Sequence, residues 1–574
     1  MTSGSKTYRV VVGIDFGTSR SGYAYAFVDD RKIVVNTIWP EQPVPYPKTS
    51  THILYSPDRK VAGWGNEARA KLAQLRKANR YTGYSYFNEF KLQLRNVADK
   101  QEGNLLISAS SGASFRLLDV IADYLRLLKG CALSEIRAAT SNNIVDNEIL
   151  WCLSIPAIWT DSEKHMMRVA ASRAGLIRED EDERLLLVLE PEAAAVHCQE
   201  REKAQLQTGT RFMVIDSGGG TVDITAYEVS EEGLKELIEG GGGAHGSVFI
   251  DKEFLKFLKE RLTPEAIELF HDQDPIDFVD LLTTWERMKC SYDHRREEDV
   301  VYFNIQSRLW KMLNKKFPHV LKELGDTQGG EDEVIHLSRE TMLSLFTPTL
   351  DKLVERVREQ FSKIDGGSCD VIYLVGGFSR SPLLQQRIFD EFSAKVKRIV
   401  IPPEPGAAIL EGTVAFGLNP SVIRARRTRL TYGCAAEMEF DSNIDPLDKK
   451  VFRKDKGKSN CKDRFEIFVQ AGQVIRVGDK VKRNFFPLAN SQTNLKLEFF
   501  NTPKLNPRYT DEEGVTYLGT LNVSMPDTKG GVTRLVEVTM FFGQTEIKVS
   551  ARDLNTGAEY KADLRFSSTY DLMS

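Results

Sequence analysis

Seven cysteines are spread over the chain, at Cys131, Cys152, Cys198, Cys290, Cys369, Cys434 and Cys461. The number is odd, the spacing is wide and no C-x-x-C pair occurs. That excludes a readable disulfide framework or zinc site and favours a reducing compartment, so the cytoplasm is expected, with the nucleus also open. No apolar run approaches bilayer-spanning length, so membrane insertion is not expected. Residues 1–6 lead straight into the first apolar strand without a charged and apolar leader, so no signal peptide is expected. Excess charge is lacking too. Lys and Arg number 77 against 81 Asp and Glu, a formal net charge of −4, which offers no electrostatic reason to bind nucleic acid or an anionic membrane. A local basic run at 424–429 reads as a solvated linker, with an anion site as the alternative.

What is present is the composition of an ordinary globular protein. Of 574 residues, 41% are hydrophobic and 28% charged, which is too long for one core and predicts two or more domains. The most informative stretch is 212–225. An apolar run ends in Asp216, Gly218, Gly219, Gly220 and Thr221 follow, and Asp223 leads back to apolar and β-branched residues. Two strands joined by a glycine turn fit this order. Glycines let backbone N–H groups approach an anion, the requirement of a phosphate cradle. Carboxylates repel phosphate, so Asp216 and Asp223 make sense if Mg²⁺ sits between them and the phosphates. A bare hairpin with two solvated carboxylates remains the alternative from this stretch alone. The same grammar recurs near the start, where Asp15 and Gly17 stand as Asp216 and Gly218 do, about two hundred residues apart, with Thr18 and Ser19 in the turn. Two such hairpins suggest a duplicated domain gripping one nucleotide.

Between and beyond the hairpins, strands alternate with helices, as in a mixed α/β domain. Helices are expected near 66–78, over 114–137 and from Asp161 to about Ala174. The run 185–189 reads as a buried strand ending in the carboxylate Glu190, where α/β sheets place ligands, with the next helix starting at Glu192. Lys91 stands among aromatic residues, either snorkelling to the surface or aimed at a phosphate. Residues 240–247 read as a flexible turn, and 249–363 as mostly helical. Within that region Glu286 and Lys289 lie three apart on one helix face, a spacing usual for a surface ion pair. Gly376 and Gly377 end a strand before a helix at Pro382, and such a helix start can receive a nucleotide. From about residue 424 short alternating strands and turns predict an all-β sandwich. Only eight residues follow Phe566, so no helical appendage is expected there.

The order of these motifs resembles the actin-like ATPase superfamily. Over nearly the whole length it resembles the heat shock protein 70 family, nearest its divergent heat shock 70 kDa protein 12-like branch. The resemblance implies an α/β fold with a duplicated, ribonuclease H-like actin-type ATPase domain in two lobes over 1–424. A smaller all-β sandwich without a helical lid would follow over 425–574. It implies ATP/ADP and Mg²⁺ as cofactors. Asp15 and Asp216 would hold the metal through water, and Gly17, Thr18, Ser19, Gly218, Gly219, Gly220 and Thr221 would contact phosphate. Glu190 and Asp223 would position metal waters or the attacking water. Lys91 would orient the nucleophile and stabilise the transferring phosphoryl group; with Glu190, Asp223 and Thr221 it makes the expected catalytic set. Gly376, Gly377 and Arg380 would line the adenosine site, with Glu286 and Lys289 on the ribose.

Three departures matter. Cys290 stands where typical members carry an Arg that stacks on adenine, a loss worth about 1 kcal/mol. The acidic-leucine linker between domains is absent, and so is the lid. The leading expectation is a slow, chaperone-like ATPase that binds a polypeptide through the β domain, with co-chaperones among its partners. Alternatives are a nucleotide-dependent switch or scaffold holding a folded partner, and a sugar or glycerol kinase on the same ATPase scaffold.

Overall fold

The computed structural model describes residues 8–42, 44–97, 105–109, 112–141, 143–178, 181–296, 299–542 and 547–563. The expectation about residues after Phe566 falls outside these. Strand Val10–Phe16 is buried along all seven residues, and so is Ile149–Ile155. Strands covered on both faces need continuous apolar runs, which is how both segments read. They pair in parallel, Val10 opposite Ile149 and Asp15 opposite Ser154. The sheet runs Leu185–Leu189, Ile149–Ile155, Val10–Phe16, Arg20–Phe27, Val34–Val35, with Thr49–Ser50 paired to Arg20–Phe27.

Packing divides the chain into two units. The first comprises Met1–Trp159, Met167–Ala226 and Gly240–Asn419. It holds this sheet and a second one built on the same plan. There Arg211–Ser217 pairs in parallel with Val371–Val375, Asp216 opposite Val375, and Val371–Val375 pairs with Arg398–Val400. Asp15 and Asp216 therefore occupy corresponding places near the carboxyl ends of their strands. Helix Ala408–Leu418 packs on helix Glu190–Arg201 through Gly412. A Cβ there would meet the Ala193 carbonyl oxygen at 1.8 Å, so only glycine allows this approach.

Several expectations change. Residues 240–247 are not a free turn, because Gly241–Gly243 pairs antiparallel with Val222–Ile224. A Cβ on Gly242 would sit 2.0 Å from the Val222 carbonyl oxygen, so the glycines serve close strand packing. The region 249–363 is mostly helical, as expected, with helices such as Val248–Leu262, Pro275–Ser291 and Arg339–Ser362, and it also holds an antiparallel pair, Val300–Asn304 with Val334–Ser338. Those strands are half exposed, and their short runs are too brief to announce a sheet locally. Glu190 opens its helix rather than closing the strand before it.

The second unit comprises Thr160–Met166, Tyr227–Glu239 and Pro420–Ser574. The basic run is not a solvated linker. It lies in strand Ile423–Arg427, which runs parallel to Gly233–Glu236 and antiparallel to Val474–Arg476. Arg427 N–H donates to Glu236 Oε2 at 2.8 Å, and Arg424 Nε donates to the Glu232 carbonyl at 2.6 Å. Beyond it lie two antiparallel sheets. One orders Lys450–Arg453, Lys458–Val469, Thr431–Glu439, Asn494–Thr502 and Thr516–Ser524; the other Lys480–Phe485, Val536–Phe541, Lys548–Asp553 and Glu559–Asp563. Phe468, Leu497 and Phe499 from the first share one buried cluster with Val538, Met540 and Val549 from the second. Arg534 is buried beside it, donating to the carbonyls of Gly531, Met525, Asp527, Asn490 and Gln492, so its charge is met by loop backbone rather than by an acid. No helix among the described residues is long and apolar enough to cross a membrane.

Candidate active site

The two glycine hairpins face each other within the first unit. A Cβ on Gly219 would come within 2.2 Å of Ser19 Oγ, and one on Gly220 within 2.5 Å of Thr18 Oγ1. Each turn is braced. Gly17 N–H donates to Ser21 Oγ, and Thr51 Oγ1 donates to the Gly17 carbonyl. Gly218 N–H donates to the Thr221 carbonyl at 2.9 Å, closing the second turn. The carbonyls of Gly218, Gly219 and Gly220 accept from the backbone N–H groups of Ser247, Val248 and Gly246, leading into helix Val248–Leu262.

Four carboxylates stand behind these turns, and all are buried: Asp15, Glu190, Asp216 and Asp223. Asp223 Oδ1 accepts from the Ala157 N–H at 2.9 Å. Lys91, carried by the short helical segment Phe90–Val97, is buried as well. Its Nζ donates to Glu190 Oε1 at 2.9 Å and lies over the Phe16 and Trp159 rings. Lys91 is thus not snorkelling. A second ammonium, Lys48, pairs with Asp15 Oδ2 at 2.5 Å.

Four carboxylates against two ammonium groups leave an excess of two negative charges if all are ionised. Burial, with its neighbours Glu190, Asp223 and Asp15, pushes the Asp216 carboxyl well above its ordinary range, opposed by Lys48. Burial likewise raises Glu190 to about 7 against the pull of Lys91. Burial disfavours the charge on Lys48, yet Asp15, Tyr46 and Asp216 together outweigh it and the Lys48 pKa is held above the usual lysine value. Asp216 Oδ1 has no hydrogen-bond partner among the described residues. It points to where a Cβ on Gly376 would sit, 2.3 Å away, and Gly376 holds a φ of +87° that favours glycine. This donor set fits a divalent cation by charge. Among the described residues, no three His, Cys, Asp or Glu side chains form a ready-made ligand cluster.

The residues read as adenosine contacts are engaged with protein partners. Glu286 and Lys289 do not pair with each other. Lys289 Nζ donates to Asp251 Oδ1 and Oδ2 at 2.7 and 2.8 Å and to the Ser247 carbonyl at 3.1 Å, while Trp285 Nε1 also donates to Asp251. Glu286 faces Arg20 and Arg69 at 3.6 and 3.7 Å. Arg380 pairs with Glu404 at 3.3 Å and stacks over the Tyr46 ring, which Arg20 also approaches. Gly377 lies beside the Tyr46 hydroxyl, and Cys290 is exposed. Sequence reasoning missed Lys48, Arg20, Tyr46 and Asp251. Asp251 carried no local signal. Lys48 had one in Gly22, whose missing side chain leaves room for the lysine stem.

The family model described as "Hsp70 protein" matches residues 11–417. The chain is 30% identical to Heat shock 70 kDa protein 12A of Homo sapiens and 31% to that of Mus musculus, in each case over 98% of this chain and 92% of the relative. It is 29% identical to Heat shock 70 kDa protein 12B of Homo sapiens over the same shares. Such membership implies the two-lobed actin-like ATPase fold and ATP binding. By the extent of the match and the likeness to these relatives, the chain belongs to the Hsp70 family.

Proposed function

We propose that the protein binds ATP and hydrolyses it slowly with Mg²⁺, and that it couples nucleotide state to a polypeptide or protein partner. The nucleotide-binding part is assigned to 1–424. A β sandwich without a helical lid, over 425–574, is assigned to the partner. The observation that carries this reading is the convergence of the two glycine turns on four buried carboxylates and two lysines. The turns would present backbone N–H groups to phosphate oxygens, with Thr18, Ser19 and Thr221 adding hydroxyls. Mg²⁺, held through water by Asp15 and Asp216, would supply charge neutralisation of the phosphates. Glu190, whose carboxyl burial pushes up, would accept or hold a proton of the attacking water, with Asp223 orienting it. Lys91, fixed by Glu190 and the two aromatic rings, would place positive charge at the transferring phosphoryl group. Gly376, Gly377 and Arg380, with Glu286 and Lys289, would line the adenosine side. Cytoplasm, and also nucleus, is the compartment assigned, with co-chaperones as further partners and neither nucleic acid nor membrane insertion involved.

A second reading, a nucleotide switch or scaffold holding a folded partner without refolding it, is favoured by a specific observation. Cys290 offers no cation to stack on a base. Single-turnover ATP hydrolysis with Mg²⁺, with and without an extended hydrophobic peptide, separates the two. Turnover raised by peptide supports the chaperone-like reading; tight binding with slow, peptide-insensitive turnover supports the switch. Absence of ATP and ADP binding would end both.

A further inference from the structure

Lys48 is the one ammonium at this site that the family's motif order did not lead to, and its path is built. The short strand Thr49–Ser50 pairs with Arg20–Phe27, Ser21 opposite Thr49. Asp15 stands opposite Gly22 on the neighbouring strand. A Cβ on Gly22 would meet Lys48 Cγ at 3.2 Å and the Pro47 carbonyl oxygen at 2.4 Å, so the bare glycine is what lets the lysine stem pass over the strand to Asp15. The preceding segment is anchored. Tyr46 N–H donates to the Thr37 carbonyl at 3.0 Å, and the Tyr46 carbonyl accepts from Trp39 Nε1 at 3.1 Å and Gln42 Nε2 at 3.3 Å. The Lys48 side chain is nine-tenths buried and ends 2.5 Å from Asp15 Oδ2. A carboxylate oxygen expected to serve a metal through water is therefore already held by a cation of the chain. Neither Asp15 Oδ2, apart from that ion pair, nor Asp216 Oδ1 has a hydrogen-bond partner among the described residues, so both buried oxygens remain able to accept.

We propose that Lys48 is a tethered cation of the nucleotide site, holding Asp15 and meeting nucleotide phosphate oxygens, so that nucleotide is retained with a weakened requirement for Mg²⁺. This rests on the nucleotide-binding reading above. An ammonium is a compact point charge with three donors, so it can bridge one carboxylate and one phosphate. It carries one positive charge where Mg²⁺ carries two, so it substitutes for the metal in binding better than in hydrolysis.

The test is equilibrium binding of a fluorescent ADP analogue to the full chain in excess Mg²⁺ and in excess EDTA, for wild type, Lys48→Gln and Lys48→Arg. Wild type is expected to lose less than about tenfold in affinity in EDTA. Lys48→Gln is expected to lose a further ~10- to 100-fold there, the worth of a charge-assisted contact. Lys48→Arg, which keeps the charge, should restore part of it. Wild type that binds only with Mg²⁺ overturns the proposal without any variant and leaves the nucleotide reading intact. Equal Mg²⁺ dependence of wild type and Lys48→Gln overturns it as well. Wild type that binds in neither condition removes the nucleotide reading, and this proposal with it.

Discussion

Lys91 Nζ donates to Glu190 Oε1 at 2.9 Å, and the two residues lie ninety-nine positions apart in the chain. Neither side chain has bulk water to fall back on. Each holds the other in place, and burial raises the Glu190 carboxyl against the lysine's attraction. Glu190→Gln keeps the shape and an acceptor for Lys91 but removes the proton-accepting group. Single-turnover hydrolysis should slow by ~100-fold or more, the usual worth of a general base. ADP affinity should stay within about threefold of wild type, a small change on the affinity scale. Unchanged turnover would remove Glu190 from the chemistry.

Two of the hairpin carboxylates, Asp223 and Asp15, should separate by function. Asp223→Asn retains an oxygen for the Ala157 N–H. It is expected to leave Mg-ADP affinity nearly intact and to slow hydrolysis. Asp15→Asn weakens the hold on Lys48 and on metal water, so it should reduce affinity more than turnover. Titration calorimetry and single-turnover assays on both variants decide this, and equal losses of affinity would count against the assignment.

Gly412 sets the distance between helices Ala408–Leu418 and Glu190–Arg201, and the second of these begins with Glu190. Gly412→Ala puts a methyl group into the Ala193 backbone, which has no rotamer to yield. A loss of about 1–3 kcal/mol of stability is expected, as for overpacking in a close-packed core. Urea denaturation measures it, and a neutral result would mean that the helices separate freely.

His52 gives the pH dependence a sign. Burial, with Arg69 and Arg20 nearby and Glu286 opposing, lowers its pKa from 6.5 to about 3. Its ring lies against Tyr86, and Nδ1 has no hydrogen-bond partner among the described residues. The unfolded chain takes up a proton below about 6.5 while the folded one resists until about 3. The contribution is therefore present above 6.5 and is lost as pH falls through this window, by up to about 1.4 kcal/mol per pH unit. His52→Gln should lose less stability than wild type between pH ~7 and ~5, a span over which an unperturbed histidine titrates. Parallel pH profiles of urea midpoints would refute this.

The hairpins were legible because their information is local: an apolar strand, an Asp, glycines at fixed offsets, then a second strand. Asp15, Asp216 and their glycines follow from that pattern, and the alternating runs after 430 announced the C-terminal strands for the same reason. The strand at Ile423–Arg427 was not legible, because its arginines bond to Glu236 and Glu232 some 190 positions away, and isolated from them they read as solvated. Lys289 read as half of a helix-surface pair with Glu286; its actual partner, Asp251, lies on another helix.

By itself, then, the amino-acid order determined the strand–turn–strand units, the α/β texture of the larger part and the β texture of the rest, since each depends on side-chain period and on glycine within a few residues. The tertiary structure alone decided which charges meet. Lys48 reaches Asp15 only because Gly22 is bare where the lysine stem crosses, and Lys91 reaches Glu190 only because two distant segments pack around Phe16 and Trp159. Buried charges must find partners or change protonation, and the partner is selected by three-dimensional proximity in a low-dielectric interior, a quantity that no local pattern contains.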